Sequence, residues 1–166
     1  MIKRMIEMAQ AQNDRRLIGA LLRVPFQAIN ARIAEGLGAF GHTDLRPAHF
    51  AVFQQMTPAG RRLTELAELA QMTKQSMGAL VDYLEERGYV RRVPDPADRR
   101  AKIIRLTDKG QDVERHAREI IQAVESEWAR GVGEERFQHF RQTLKDIIAQ
   151  LGTAREVARD VTWDAR

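Results

Sequence analysis

From Leu17 to Phe40, apolar side chains fall three and four residues apart: Leu17, Leu21, Val24, Ala28, Ile29, Ile33 and Leu37. That spacing lines one face of a helix. Pro25 sits inside this stretch without an N–H to donate, so a kink or break is expected near Leu22 to Val24. Upstream, Ile2, Met5, Ile6, Met8 and Ala9 predict a short extra helix, and Gly36, Gly38 and Gly41 predict where the first long one ends. A second helix is expected to open at Pro47, with Phe50, Val52 and Phe53 on its inner side. Thr57-Pro58-Ala59-Gly60 reads as a turn. A short helix is expected from an N-cap at Thr64, and Thr73 caps a longer one through Arg87 that Gly88 ends.

The period then changes from that of a helix to that of a strand. Tyr89 to Val93 and Lys102 to Leu106 are β-prone runs on either side of Pro94-Asp95-Pro96-Ala97-Asp98-Arg99-Arg100, which predicts a hairpin with a proline-punctuated loop. Thr107 caps a helix to about Arg130, glycines at 131 and 133 interrupt it, and a last helix spans about Glu134 to Leu151. The tail, 152–166, is polar apart from Val157, Val161 and Trp163.

Thr64 to Arg87 therefore reads as two helices joined by a tight turn. On the second, Met77, Leu80, Val81 and Leu84 form the apolar face, leaving Gln75, Gly78, Ala79 and Asp82 opposite, with Lys74 and Ser76 in the first turn. Amide and hydroxyl groups near a helix start, followed by small residues, suit a helix that reads base edges in a major groove. Charge supports this reading. The chain carries a net +4, yet Arg87 to Lys109 holds eight basic against three acidic residues, a local +5 on a remainder of −1. A concentrated basic segment is an electrostatic footprint for a polyanion. Arg99 and Arg100 at the loop tip suit a narrow minor groove, while Asp95 and Asp98 are expected to accept hydrogen bonds that hold the loop open.

The run from Asp98 through Thr107, ending in Asp108-Lys109-Gly110, resembles the wing of the MarR (multiple antibiotic resistance regulator) family. Leu66-Ala67, Thr73-Lys74-Gln75-Ser76 and Leu84-Glu85-Glu86-Arg87-Gly88-Tyr89-Val90 are similar to its helix-turn-helix, and Leu45 to Phe50 to the opening of its second helix. Ala97 departs from that pattern, standing where the family often has a charged residue.

The resemblance implies a mainly α fold with a small β-hairpin wing. A winged helix-turn-helix lobe spans 44–109, and a helical dimerisation lobe is built from 1–40 and 110–151. It implies a sequence-specific regulator of transcription, a repressor, acting as a homodimer on an inverted repeat in duplex DNA. Recognition residues are then Thr73, Lys74, Gln75, Ser76 and Ala79, and wing residues are Arg92, Asp98, Arg99, Arg100 and Lys102. Phe140, Leu144, Ile147, Ile148 and Leu151 form an apolar stripe without an obvious partner in a small winged-helix core, and are assigned to dimerisation. The family also implies a small aromatic or anionic effector, for which Phe26, His49, Phe53 and His116 are candidate liners.

Other chemistry finds less support. The chain has no cysteine, which excludes disulfides and thiol-oxidation switches. Gly36 to Gly41 spells G-x-G-x-x-G but follows a helix instead of a strand, so it is read as helix termination. The four histidines have no ligand spacing, so no metal is expected, and no nucleophile-and-base set suggests an enzyme. No signal peptide or membrane span is expected, placing the protein in the cytoplasm. The alternative reading is a winged-helix module that binds protein instead of DNA, which the basic wing opposes.

Overall fold

The computed structural model describes residues 17–98 and 100–151. The expected N-terminal helix at 2–9, the tail and the loop-tip Arg99 lie outside the described residues. The first described element is α1, Ile18–Ala39, which runs through Pro25 without a break. The one bond Pro25 removes would have gone to the carbonyl of Leu21, which is exposed, so that carbonyl is not shut away from solvent.

A 3-10 turn, Pro47–His49, leads into α2, Phe50–Gln54. Then come β1, Arg61–Arg62, α3, Leu63–Leu69, and α4, Lys74–Glu86. The hairpin is β2, Val90–Pro94, and β3, Lys102–Leu106, and two helices follow: α5, Asp108–Val132, and α6, Glu134–Gln150. The fold is thus mainly α with a small sheet, as the hydrophobic pattern predicts.

Three local readings need correction. The sheet has three antiparallel strands in the order β1-β3-β2, with Arg61 opposite Ile104 and Arg62 opposite Ile103. The strand β1 was not expected. It also moves the start of α3 forward: the N-cap is Arg62, not Thr64, and the Glu65 carboxylate accepts the Arg62 N–H at 2.7 Å. Finally, Gly36 and Gly38 lie inside α1. Gly36 is there because Ile120 of α5 packs where its Cβ would be, and only Gly41, at φ +89°, turns the chain out of the helix.

The core explains why these elements assemble. Val52, Leu66, Met77, Val81, Leu84, Tyr89 and Ile104 are fully buried, bringing α2, α3, α4 and the hairpin onto one apolar centre. Ile33 and Leu37 of α1 and Val113 of α5 close it from the helical side. The two expected threonine caps are present: Thr73 Oγ1 accepts the Ser76 N–H and Thr107 Oγ1 the Gly110 N–H, each at 3.1 Å.

Candidate nucleic-acid interface

Helix α4 is set from three sides. Its apolar face, Met77, Val81 and Leu84, is in the core. Its start is fixed by Thr73, whose hydroxyl also donates to Ser76 Oγ at 2.9 Å. The turn before it closes through Met72 N–H to the Ala67 carbonyl at 2.8 Å, with Gln71 held at φ +52°. What remains outward is Thr73, Lys74, Gln75, Ser76, Ala79 and Asp82, all exposed. Gly78 is half-buried at the seam with α3, where a Cβ would stand 3.8 Å from Leu63. The expected outer face is therefore narrower by one position.

The wing is held by carboxylates. Asp95, buried at its base, accepts Nε and Nη2 of Arg62 at 2.7 and 2.5 Å and the Ala97 N–H at 2.8 Å. That backbone amide and the Arg62 guanidinium hold its carboxyl below the usual aspartate range. Asp98 accepts the Arg100 N–H at 3.0 Å, and the loop closes through Asp95 N–H to the Ala101 carbonyl at 3.0 Å. Both aspartates thus make the kind of bond expected of them. Arg100 and Lys102 are exposed.

Arg92 is placed differently from the other wing cations. Its guanidinium pairs with Asp82 at 2.6 Å and with Glu85, whose other oxygen takes the Arg92 N–H at 2.8 Å. Instead of projecting from the wing, it ties β2 to the outer flank of α4. Sequence spacing gave no sign of this clamp, nor of Arg62–Asp95, whose partners are 33 positions apart.

Behind the interface, a polar network joins the α1–α2 connection to α4 and α5. Tyr89 Oη donates to Asp44 Oδ1 at 2.6 Å and lies 3.3 Å from His42 Nδ1. Its one proton is committed to Asp44, so His42 Nδ1 carries the hydrogen and donates to the tyrosine oxygen. Burial pushes the Tyr89 hydroxyl above its ordinary range, and the Asp44 bond adds to this. Tyr83 Oη donates to the Asp44 carbonyl at 2.7 Å, Arg87 lies 3.6 Å over the Tyr83 ring, and Lys109 lies 3.9 Å over the Tyr89 ring.

The four candidate effector liners do not share one cavity. His49 is buried, stacked on Tyr83 with ring centroids 4.3 Å apart, and its Nδ1 accepts the Arg46 N–H at 2.9 Å. Phe53 is in the core, edge-on to Tyr89, and His116 stacks on Phe40 at 3.8 Å. Phe26 is elsewhere, lining a groove of 610 Å³ between α1, α5 and α6 with Leu22, Trp128, Phe140, Leu144 and Ile148. The stripe assigned to dimerisation opens on this groove or beside it, with Phe140 45%, Ile147 44% and Leu151 69% exposed. Among the described residues, no helix is long and apolar enough to cross a membrane, and no cluster of metal-ligating side chains occurs.

Comparison with known proteins gives consistent results. The sequence model of the MarR family matches residues 43–101, from the α1–α2 connection to the end of the wing loop. The transcriptional regulator HosA of Escherichia coli O111:H- is 30% identical over 128 residues, covering 76% of this chain and 91% of that protein. Among solved structures, CouR from Rhodococcus jostii RHA1 bound to p-coumaroyl-CoA superposes with a TM-score of 0.61 at 28% identity, covering 78% of this chain and 90% of that one. The transcriptional repressor CouR bound to a 23-mer DNA duplex gives 0.61 at 27% identity, covering 82% and 92%.

Proposed function

The chain belongs to the MarR family of transcriptional regulators, and on that premise we propose that it is a homodimeric repressor of an inverted-repeat operator, released by a small aromatic or anionic effector. The observation that carries this reading is the exposed face of the first two turns of α4. Lys74, Gln75, Ser76 and Ala79 are exposed there on a helix whose other sides are buried, capped or ion-paired to the wing. A rigid helix offering one amide, one cation and two small groups suits base-edge reading in a major groove. Gln75 pairs with an adenine edge, and Thr73 with the helix N-terminus takes a phosphate.

The lobe over 44–109 supplies the DNA contacts. Arg99, Arg100 and Lys102 of the wing add backbone and minor-groove affinity, for which Asp98 shapes the loop, and Arg92 positions the wing against α4. The lobe formed by 1–40 and 110–151 supplies the dimer. A second copy covers Phe140, Leu144, Ile147, Ile148 and Leu151 together with the exposed apolar side of α1, because leaving so many large apolar groups in water is unfavourable. The likeness to a repressor solved both on a duplex and with p-coumaroyl-CoA supports the effector part of the reading. The protein acts in the cytoplasm.

The test is enrichment of randomised duplex DNA by the purified protein, followed by sequencing of the bound fraction. An inverted repeat with half-sites about one helical turn apart is expected. Salt-sensitive binding without a motif, or no binding, overturns the proposal.

A further inference from the structure

Arg91 and Arg105 face each other directly across the β2–β3 ladder. Like charges in direct cross-strand register repel, and a sheet built for stability alone would place a carboxylate opposite one of them. Here neither guanidinium has a carboxylate partner among the described residues. Arg105 Nε donates to the Ala59 carbonyl at 2.9 Å, which aims its remaining N–H groups but neutralises no charge. Both arginines line a cavity of 440 Å³ whose other walls include Met56, Pro58, Leu106 and Gln111. Glu114 also borders it, but that carboxylate is paired with Arg118 at 3.4 Å.

The cavity is also rigid on its turn side. Thr57 Oγ1 donates to the Gly60 carbonyl at 3.0 Å and Gly60 N–H to the Thr57 carbonyl at 2.9 Å. Gly60, at φ +84°, presses so closely on β3 that a Cβ would lie 2.5 Å from the Ile104 oxygen. Two converging cations without a counter-ion, an apolar wall and an amide donor together make a preformed receptor for an anion with an apolar body.

We propose that the Arg91–Arg105 cavity is the binding site of a small organic carboxylate. The two guanidiniums take the carboxylate, Met56, Pro58 and Leu106 cover the apolar body, and Gln111 of α5 supplies a further polar contact. The site bridges the base of the wing and the first turns of α5. Its occupation removes positive charge from the basic segment and so weakens attraction for DNA phosphates. That consequence rests on the proposed DNA-binding function; the binding itself does not.

The test uses the full chain without DNA, titrated with phenylacetate, with neutral phenylacetamide and with inorganic phosphate, and followed by NMR shifts of Leu106 and Gln111. Saturable phenylacetate binding is expected, weaker by about tenfold or more for phenylacetamide and for Arg91→Gln, since each loses a charge-assisted contact. Arg91 is the better variant because Arg105 also holds the 57–60 turn. In ligand-free protein, Arg91→Glu raises the melting temperature by placing a carboxylate opposite Arg105, a gain that removing a structural arginine would not give. Absence of saturable phenylacetate binding to the wild type, or equal binding by Arg91→Gln, overturns the proposal. Duplex affinity is measured separately on the same variants. Loss of phenylacetate binding in Arg91→Gln supports the site whatever its duplex affinity, because that variant also removes one positive charge from the basic segment. A wild type that binds no phenylacetate, with duplex affinity that falls in Arg91→Gln, makes the pair a DNA-phosphate contact and overturns it.

Discussion

The two lobes use their side chains in opposite ways. In the winged lobe, nearly every large apolar group is inside: Leu66, Met77, Val81, Leu84, Tyr89 and Ile104 are all essentially buried. Its charges are largely committed, Arg62 to Asp95, Arg92 to Asp82 and Glu85, and Arg87 to Asp44. In the helical lobe, Phe26, Phe140, Ile147 and Leu151 stand in water around an open groove. Among the described residues, the winged lobe buries its large apolar groups and leaves mainly the start of α4, the wing cations and the Arg91–Arg105 pair uncommitted. The other leaves large apolar groups exposed around its groove. On the proposed function, the first lobe would carry the DNA-reading surface and the second would set the distance between two such surfaces.

The contrast can be broken most severely from within the winged lobe. Leu84→Ala leaves a cavity in a fully buried position, and thermal or urea unfolding is expected to show a loss of about 2–5 kcal/mol. Ile147→Asp tests the other lobe. It is expected to leave the secondary structure and the stability of the monomer unchanged while weakening self-association by about 2–4 kcal/mol, read by sedimentation. A dimer of undiminished strength would show that α6 does not form the interface. Gln75→Ala touches neither core nor groove, and should cost roughly 1–3 kcal/mol of discrimination at one base pair of the selected site. An unchanged preferred sequence would remove Gln75 from the reading surface. Gln71→Gly relieves a non-glycine residue of its left-handed backbone, and a gain of about 0.5–1 kcal/mol is expected in the same unfolding assay.

The smallest expected effect is a dependence on pH. Burial, then Lys109 and His116, push the His42 imidazole below its ordinary 6.5, and burial does the same to His49. The unfolded chain therefore binds protons that the folded chain resists. Stability is fully present above pH 6.5 and is lost as pH falls through the lowered folded values. Asp44 and Asp95 add a second loss, only below their ordinary 3.8. His42→Gln should flatten the upper part of this profile, and an unchanged profile would assign it to His49 alone.

Much of this architecture was legible because its signals are local. The stripe at Met77, Val81 and Leu84, the threonines that cap α4 and α5, and the β-prone runs on either side of the proline loop each act within one or two turns of chain. The start of α3 is hidden because an accepting side chain at the N-cap is the usual signal for a helix start. At Arg62 the polarity is reversed, with Glu65 accepting from the cap's own amide, and His49 does the same for Arg46. The strand β1 is two basic residues with no period to detect; it exists only because β3 is beside it. Aromatic type alone does not distinguish Phe53 in the core from Phe26 in the groove. The clamp on Arg92 and the opposed pair Arg91 and Arg105 depend on strand register, which one sequence does not specify.

The attachment of α5 to the wing has a mechanical consequence. Thr107 Oγ1 meets the Gly88 carbonyl at 2.6 Å, Lys109 Nζ the Arg87 carbonyl at 2.9 Å, and Gly110 abuts the Tyr89 carbonyl with no space for a side chain. This end of the helix is a clamped joint. From it, 25 residues extend as a beam of about 37 Å at ~1.5 Å per residue, with the far end among the groove residues of the helical lobe. A tilt of about 5° imposed at that far end, over such a length, corresponds to a stroke of roughly 3 Å. A joint held at these points would pass that angle to the wing base and α4 as a rotation of the winged lobe.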